Sequence, residues 1–242
     1  MSELAIAPLA ESALLVRLTD EERIDPAMVA RAAALADSLA ALAIPGVIDI
    51  VPAYITVMVS FDPRQVDPGE LSEQIEQLAG AAADQPSGRL VTIPIAYGGA
   101  FGPDLDDVAA HAGLSPEDVI ARHAGGNYSV GVMGFAPGWA YLLGLPPELA
   151  MPRLSNPRLR IPPGSLGIGG EQTGIYPLAT PGGWRLIGRT PLRMFNPARH
   201  EPFLLKPGDR VRFEPISEVT FFSMEGAAAV GRRGPETELS DE

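Results

Sequence analysis

The chain contains no cysteine. That excludes disulfides, thiolate nucleophiles and cysteine metal sites. Lysine is almost missing: Lys206 is the only one, in the turn sequence Lys206-Pro207-Gly208-Asp209. A catalytic amine is therefore not expected. Recognition of anions falls to arginine, whose planar fork suits carboxylate and phosphate. The three histidines lack metal-ligand spacing, so no protein-held metal is expected. Lys and Arg number 18 against 30 Asp and Glu, a net charge of -12, which argues against a nucleic-acid or anionic-membrane partner. No apolar run approaches a membrane span, and the N-terminus lacks a basic region followed by an apolar one. A cytoplasmic protein is expected. No phosphate-binding Gly-x-x-x-x-Gly-Lys-Ser/Thr loop occurs, Gly167-Ile168-Gly169-Gly170 lacks dinucleotide spacing, and Ser165 stands in no Gly-x-Ser-x-Gly elbow.

What is present divides into two patterns. In the first third, Leu4 to Leu9 and Ala13 to Leu18 predict a strand hairpin. Asp25-Pro26 predicts a capped helix start, with Met28, Ala32, Leu35, Leu39 and Leu42 as its buried stripe. Val47 to Val51 and Tyr54 to Phe61 predict two more strands around Pro52, and Asp67-Pro68 a second helix facing inward with Leu71, Ile75 and Leu78. The order is β-β-α-β-β-α, a two-layer α+β domain over residues 1–83. Residues 84–89 read as a linker.

Beyond it, residues 90–218 open with a strand at Leu90 to Ala96 and two short helices, one from near Asp104 and one from Ser115-Pro116 to about His123. Short apolar runs ending at Gly or Pro then continue from Asn127 to Phe213, the pattern of a closed or nearly closed β-barrel. Ser217 to Met224 reads as a candidate further element, and residues 219–242 as a largely disordered extension, most clearly from Gly226 onward.

Gly131 to Arg193 is the densest part, and its glycines suit close approach of backbone to a ligand. Candidate anion clamps are Arg158, Arg160 and Arg189; Gln172, Thr173 and Thr190 are candidate polar contacts; Phe135, Tyr141, Tyr176 and Trp184 are candidate pocket walls beside the turn residues Pro137 and Gly138. Each has a plainer alternative, since arginines at turns are often surface groups and aromatics in a barrel are often core. His123, at a helix end just before the barrel, is the best acid–base candidate; the alternative is a contact with the helix dipole. His111 and His200 read as structural.

The segments Tyr97-Gly98-Gly99, Phe101-Gly102-Pro103-Asp104-Leu105, Gly134-Phe135-Ala136-Pro137-Gly138, Gln172-Thr173-Gly174-Ile175-Tyr176-Pro177 and Pro181-Gly182-Gly183-Trp184, followed by Gly188-Arg189-Thr190-Pro191-Leu192, resemble the allophanate hydrolase subunit 1 family over roughly Leu4 to Ile216. That family takes in B-type subunits of 5-oxoprolinases and KipI-type inhibitors of sporulation kinases. The resemblance implies a small α+β domain followed by a cyclophilin-like barrel. It implies one subunit of an ATP-dependent enzyme that opens 5-oxo-L-proline to L-glutamate, with Mg²⁺ arriving on ATP. It also implies two partners: one of the allophanate hydrolase subunit 2 type, the C-type subunit of 5-oxoprolinase, and one of the lactam-utilisation type, its A-type subunit. Inhibition of a sensor histidine kinase, or a carboxyltransferase-type role on another amide, are the alternatives it leaves open. The sequence departs from the family at Ala100, where many relatives carry Glu, and at Trp139, where many carry Phe.

Overall fold

The structure, a computed structural model, describes residues 4–20, 24–81 and 88–229. It divides into two units, Met1–Gly88 and Arg89–Glu242. Residues 84–87 of the expected linker lie outside the described residues.

The first unit is built from β1 (Ala5–Pro8), β2 (Ala13–Arg17), α1 (Pro26–Ala41), β3 (Val47–Ala53), β4 (Thr56–Phe61) and α2 (Pro68–Ala81). Its strands lie in the order β1-β2-β4-β3, each pair antiparallel. Alternation does the sorting: Leu14, Val16, Val57, Val59 and Phe61 turn to one face and pack with Leu35 and Leu39 of α1 and Leu71 and Ile75 of α2. The Asp25 carboxylate accepts a hydrogen bond from the Ala27 amide at 2.8 Å and caps α1, with Pro26 as its first residue. Leu42, expected in the buried stripe, is exposed, because the helix ends at Ala41 and Ala43 turns left-handed at φ 46°. Likewise Pro52 does not divide the strands. It lies inside β3 opposite Val57, and the turn is made by Tyr54 at φ 52°.

The second unit opens with β5 (Leu90–Tyr97), α3 (Leu105–Ala112) and α4 (Pro116–Ala124). Strands β6 (Tyr128–Met133), β7 (Ala140–Leu143), β8 (Arg158–Ile161), β9 (Ser165–Gly169), β10 (Gln172–Ile175), β11 (Thr180–Gly182), β12 (Arg185–Arg189) and β13 (Arg210–Pro215) follow, then helix α5 (Glu218–Ala229). Six of these strands and β5 run β6-β13-β5-β12-β9-β10-β7, and pairing of β6 with β7 closes the ring. Only β13 against β5 is parallel among these pairs. This is the expected barrel, filled by Ile93, Ile95, Val130, Leu142, Leu166, Ile168, Ile187 and Phe213. Strands β8 and β11 stand outside it as a two-stranded ribbon. Gly102 lies where a β-carbon would collide with the Ile187 backbone carbonyl, so the loop before α3 can approach β12 only as glycine.

The further element at Ser217 to Met224 is a helix, and it runs on to Ala229, through residues of the extension read as disordered. The reason is local: Phe221 is fully buried and stacks on Phe101 at 4.6 Å, so the first turns of α5 are anchored to the barrel unit. Residues 230–242 lie outside the described residues. Among the described residues no helix is long and apolar enough to cross a membrane.

Candidate functional site

The residues singled out in the sequence are gathered into three places. The first is buried. His123, in the last turn of α4, is wholly enclosed. Its Nε2 lies 3.1 Å from the Thr173 hydroxyl, and that hydroxyl donates to the Gly167 carbonyl at 2.9 Å. The hydroxyl proton is thus committed, so Nε2 is assigned the ring proton and Nδ1 accepts from the Tyr97 hydroxyl at 2.9 Å. The ring also lies against Tyr128 and Phe213, at 5.3 and 4.9 Å. Burial lowers the His123 pKa to about 3, and burial pushes the Tyr97 hydroxyl well above its usual range. A general acid or base must reach substrate. With both nitrogens occupied and no open face, His123 packs and pins β10 to β5, contrary to the expected acid–base role. Thr173 is its buried partner and presents nothing to a ligand.

The second place is an aromatic cluster on the outer side of β7, β9 and β10. Trp139 meets Tyr176 at 4.7 Å, Trp184 at 4.9 Å and Tyr141 at 5.5 Å, all edge to face. Ile161 of the β8–β11 ribbon closes it. The glycines below have a different purpose from the one expected. A β-carbon on Gly169 would sit 2.5 Å from the Trp184 indole, so the indole itself, and not a ligand, requires the bare backbone there. Phe135 is held at φ 64°, stands 65% exposed and touches the Trp139 ring at 5.5 Å. A bulky residue in this region is strained, a condition that clusters at functional sites. Pro137 is exposed on the same turn and Gly138 is buried.

Beside this cluster Arg158 donates from Nη2 to Asp104 Oδ1 at 2.7 Å, and Asp104 Oδ2 accepts the Leu186 amide at 2.7 Å. Asp104 therefore orients an arginine instead of capping α3. Arg153 lies over the Trp184 ring at 5.8 Å. Burial raises the Tyr176 hydroxyl pKa, opposed by a bond to the Trp184 backbone and by the charges of Arg153 and Arg158. Arg160 points into solvent, and Gln172 is half-buried at the start of β10.

The third place is a cleft of about 190 Å³ between the end of β12 and α5. Arg189 Nε donates to the Pro163 carbonyl at 2.9 Å, its Nη2 faces the Glu225 carboxylate at 3.6 Å, and its guanidinium covers the Phe221 ring at 5.5 Å. Thr190 and Arg193 line the same cleft. The buried Thr190 hydroxyl accepts the Leu192 amide at 3.2 Å. Arg189 and Thr190 are thus brought together, while Arg158 belongs to the aromatic cluster. Asp104, Thr180 and Glu225 were missed in the sequence. Asp104 has the look of a cap, and Glu225 follows an adjacent apolar pair, Phe221-Phe222, that carries no helical spacing. Among the described residues no group of three or more His, Asp or Glu could hold a metal ion.

This geometry has relatives. Residues 4–205 match the family model described as carboxyltransferase domain, subdomain C and D. A protein of Bacillus subtilis (strain 168) named as the B subunit of 5-oxoprolinase is 43% identical over 227 residues, covering 88% of this chain and 93% of that protein. One of Escherichia coli O157:H7 with the same name is 48% identical over 176 residues, covering 72% and 80%. The solved structure of TTHA0988 is 40% identical with a TM-score of 0.75; it covers 85% of this chain, which in turn spans 40% of that longer one. With most of its length matched on both counts, the chain belongs to the carboxyltransferase-domain family of subdomains C and D, among the relatives of the 5-oxoprolinase B subunits.

Proposed function

We propose that the chain is the B-type subunit of a cytoplasmic, ATP-dependent 5-oxoprolinase, working with a subunit-2-type (C) partner and a lactam-utilisation-type (A) partner. The supporting observation is identity of 43% carried over 93% of a relative bearing that name. An unstrained lactam resists water because opening it breaks amide resonance. Phosphorylating the lactam oxygen makes the carbonyl carbon a better electrophile. One water then adds, the C–N bond breaks as nitrogen takes a proton, and a second water releases phosphate. Such a route asks for fixed cations where phosphoryl charge develops. Arg189 and Arg193 supply them in the cleft, with Glu225 offsetting one. The cleft, at about 190 Å³, suits a phosphoryl or carboxylate group. It falls short of the roughly 300–1,000 Å³ that larger ligands occupy. A whole nucleotide, with its Mg²⁺, therefore needs a partner's surface as well, in keeping with a subunit that is inactive alone.

The test is glutamate release from 5-oxo-L-proline and ATP by this chain together with both partners, omitting each in turn. Turnover that requires this chain is the expected result; full turnover without it, or none with all three folded and present, overturns the reading. In the assembled enzyme Arg189→Ala should lower kcat/KM by about tenfold or more, with an unchanged circular dichroism spectrum.

A further inference from the structure

Three hydrogen-bonding atoms in the barrel unit are buried without any partner: Trp139 Nε1, Arg158 Nη1 and Thr180 Oγ1. Buried polar groups are almost always satisfied, so each such group needs an explanation. Trp139 lies in the aromatic cluster, and Arg158 and Thr180 stand on the ribbon that covers it. Trp139 is the centre of the aromatic cluster and only 2% exposed. Thr180 stands opposite Ile161 in the β8–β11 ribbon, and facing residues share a side, so its hydroxyl turns the same way as the Ile161 chain that closes the cluster. Arg158 stands opposite Gly182, whose α-carbon faces the Tyr176 hydroxyl, and the Arg158 charge acts on that hydroxyl. Asp104 holds one of its terminal nitrogens and leaves the other unused.

An indole N–H and a guanidinium N–H can only donate, and the hydroxyl can donate as well. Their common complement is a group made of acceptors, and a charge-assisted bond to Arg158 selects an anionic one. The walls are the flat rings of Trp139, Tyr176 and Trp184. Phe135, strained and standing in solvent against Trp139, lies at the edge of these walls. We infer that the cluster under the β8–β11 ribbon is a binding site for a small planar acid, whose carboxylate takes the donors of Trp139, Arg158 and Thr180 while its ring lies on the aromatic walls. The choice of a lactam acid as that ligand rests on the oxoprolinase reading. The site holds the acid apart from the Arg189 cleft, so the lactam must pass from it into that cleft to be phosphorylated there.

The chain has two tryptophans, and both lie in the cluster, so intrinsic fluorescence reports on this site. The isolated chain would be titrated with 5-oxo-L-proline and with 2-pyrrolidinone, the same ring without the carboxylate. A saturable fluorescence change with the acid, at least about tenfold weaker with 2-pyrrolidinone, is expected. Thr180→Val keeps the shape, removes the hydroxyl and should weaken the acid severalfold with an unchanged melting curve. Equal response to both compounds, no response to either, or a Thr180→Val protein that binds like wild type overturns the site. So does a crystal structure grown with the acid that shows water on all three donors. If the assembled subunits release glutamate while this titration is silent, the site falls and the oxoprolinase reading stands. If the acid binds as described and no glutamate is released, the site stands without that reading.

Discussion

The two units treat their polar groups differently. Among the described residues seven polar or charged side chains are buried; Thr19 lies in the first unit, and Asp104, His123, Ser165, Thr173, Thr190 and Asp209 lie in the barrel unit. The first unit is a sheet with two helices, sorted by alternation and helical spacing, with its Arg64–Asp62 ion pair at the surface and Arg31 half-buried against the Ala79 carbonyl. The barrel unit encloses a histidine network, an arginine–aspartate pair and unpartnered donors. Burying polar groups is costly unless each finds a partner. A unit that buries several has traded some ease of folding for defined positions, and all three candidate places lie in it.

The same substitution should separate the units most sharply. Gly102→Ala would drive a β-carbon into the Ile187 carbonyl, where no side chain can yield, and should destabilise the barrel unit by about 3 kcal/mol or more in urea denaturation. Lowering the pH comes next. Every histidine of the chain lies in the barrel unit. His123 has a folded pKa of about 3, below its unfolded value near 6.5, so between these values the unfolded chain binds the extra proton. Its contribution is therefore present above pH 6.5 and declines as pH falls toward 3, by up to roughly 1.4 kcal/mol per pH unit. Urea midpoints measured from pH 7 to 5 should fall for the barrel unit, and His123→Gln should flatten that slope while lowering stability at pH 7. A slope that survives this substitution would show the histidine is not its source.

Arg158→Met should cost about 2 kcal/mol, because it leaves the Asp104 carboxylate buried without its cation. Smallest, and of opposite sign, is Gly80→Ala in α2. Nothing lies within 4 Å of the added carbon and the residue is helical, so a gain of about 0.5–1 kcal/mol is expected from the unfolded chain's lost freedom. A loss there would mean that the last turn of α2 packs against something unseen.

Reading the sequence worked where the signal is local. Asp25-Pro26 and Ser115-Pro116 start helices because the capping side chain and the proline act within one turn. Leu14, Val16, Val57 and Val59 announce their face by alternation. It failed where the partner is distant in the chain. Asp104 has a cap's appearance but bonds to Arg158 and Leu186, and Gly169 has a ligand loop's appearance but makes room for Trp184. Leu42 fits the helical spacing of α1, yet the helix stops one residue earlier.

By itself the sequence determined the order of elements, the absence of cysteine, the single lysine and the family, since these follow from residue types and short spacings. Only the tertiary structure decided which polar groups meet. It closed His123 inside a hydrogen-bond chain, separated Arg158 from Arg189, set Glu225 beside Arg189 and left donors of Trp139, Arg158 and Thr180 unused. The physical reason is that barrel closure joins strands far apart in sequence, and a side chain's burial and partners are properties of that closure.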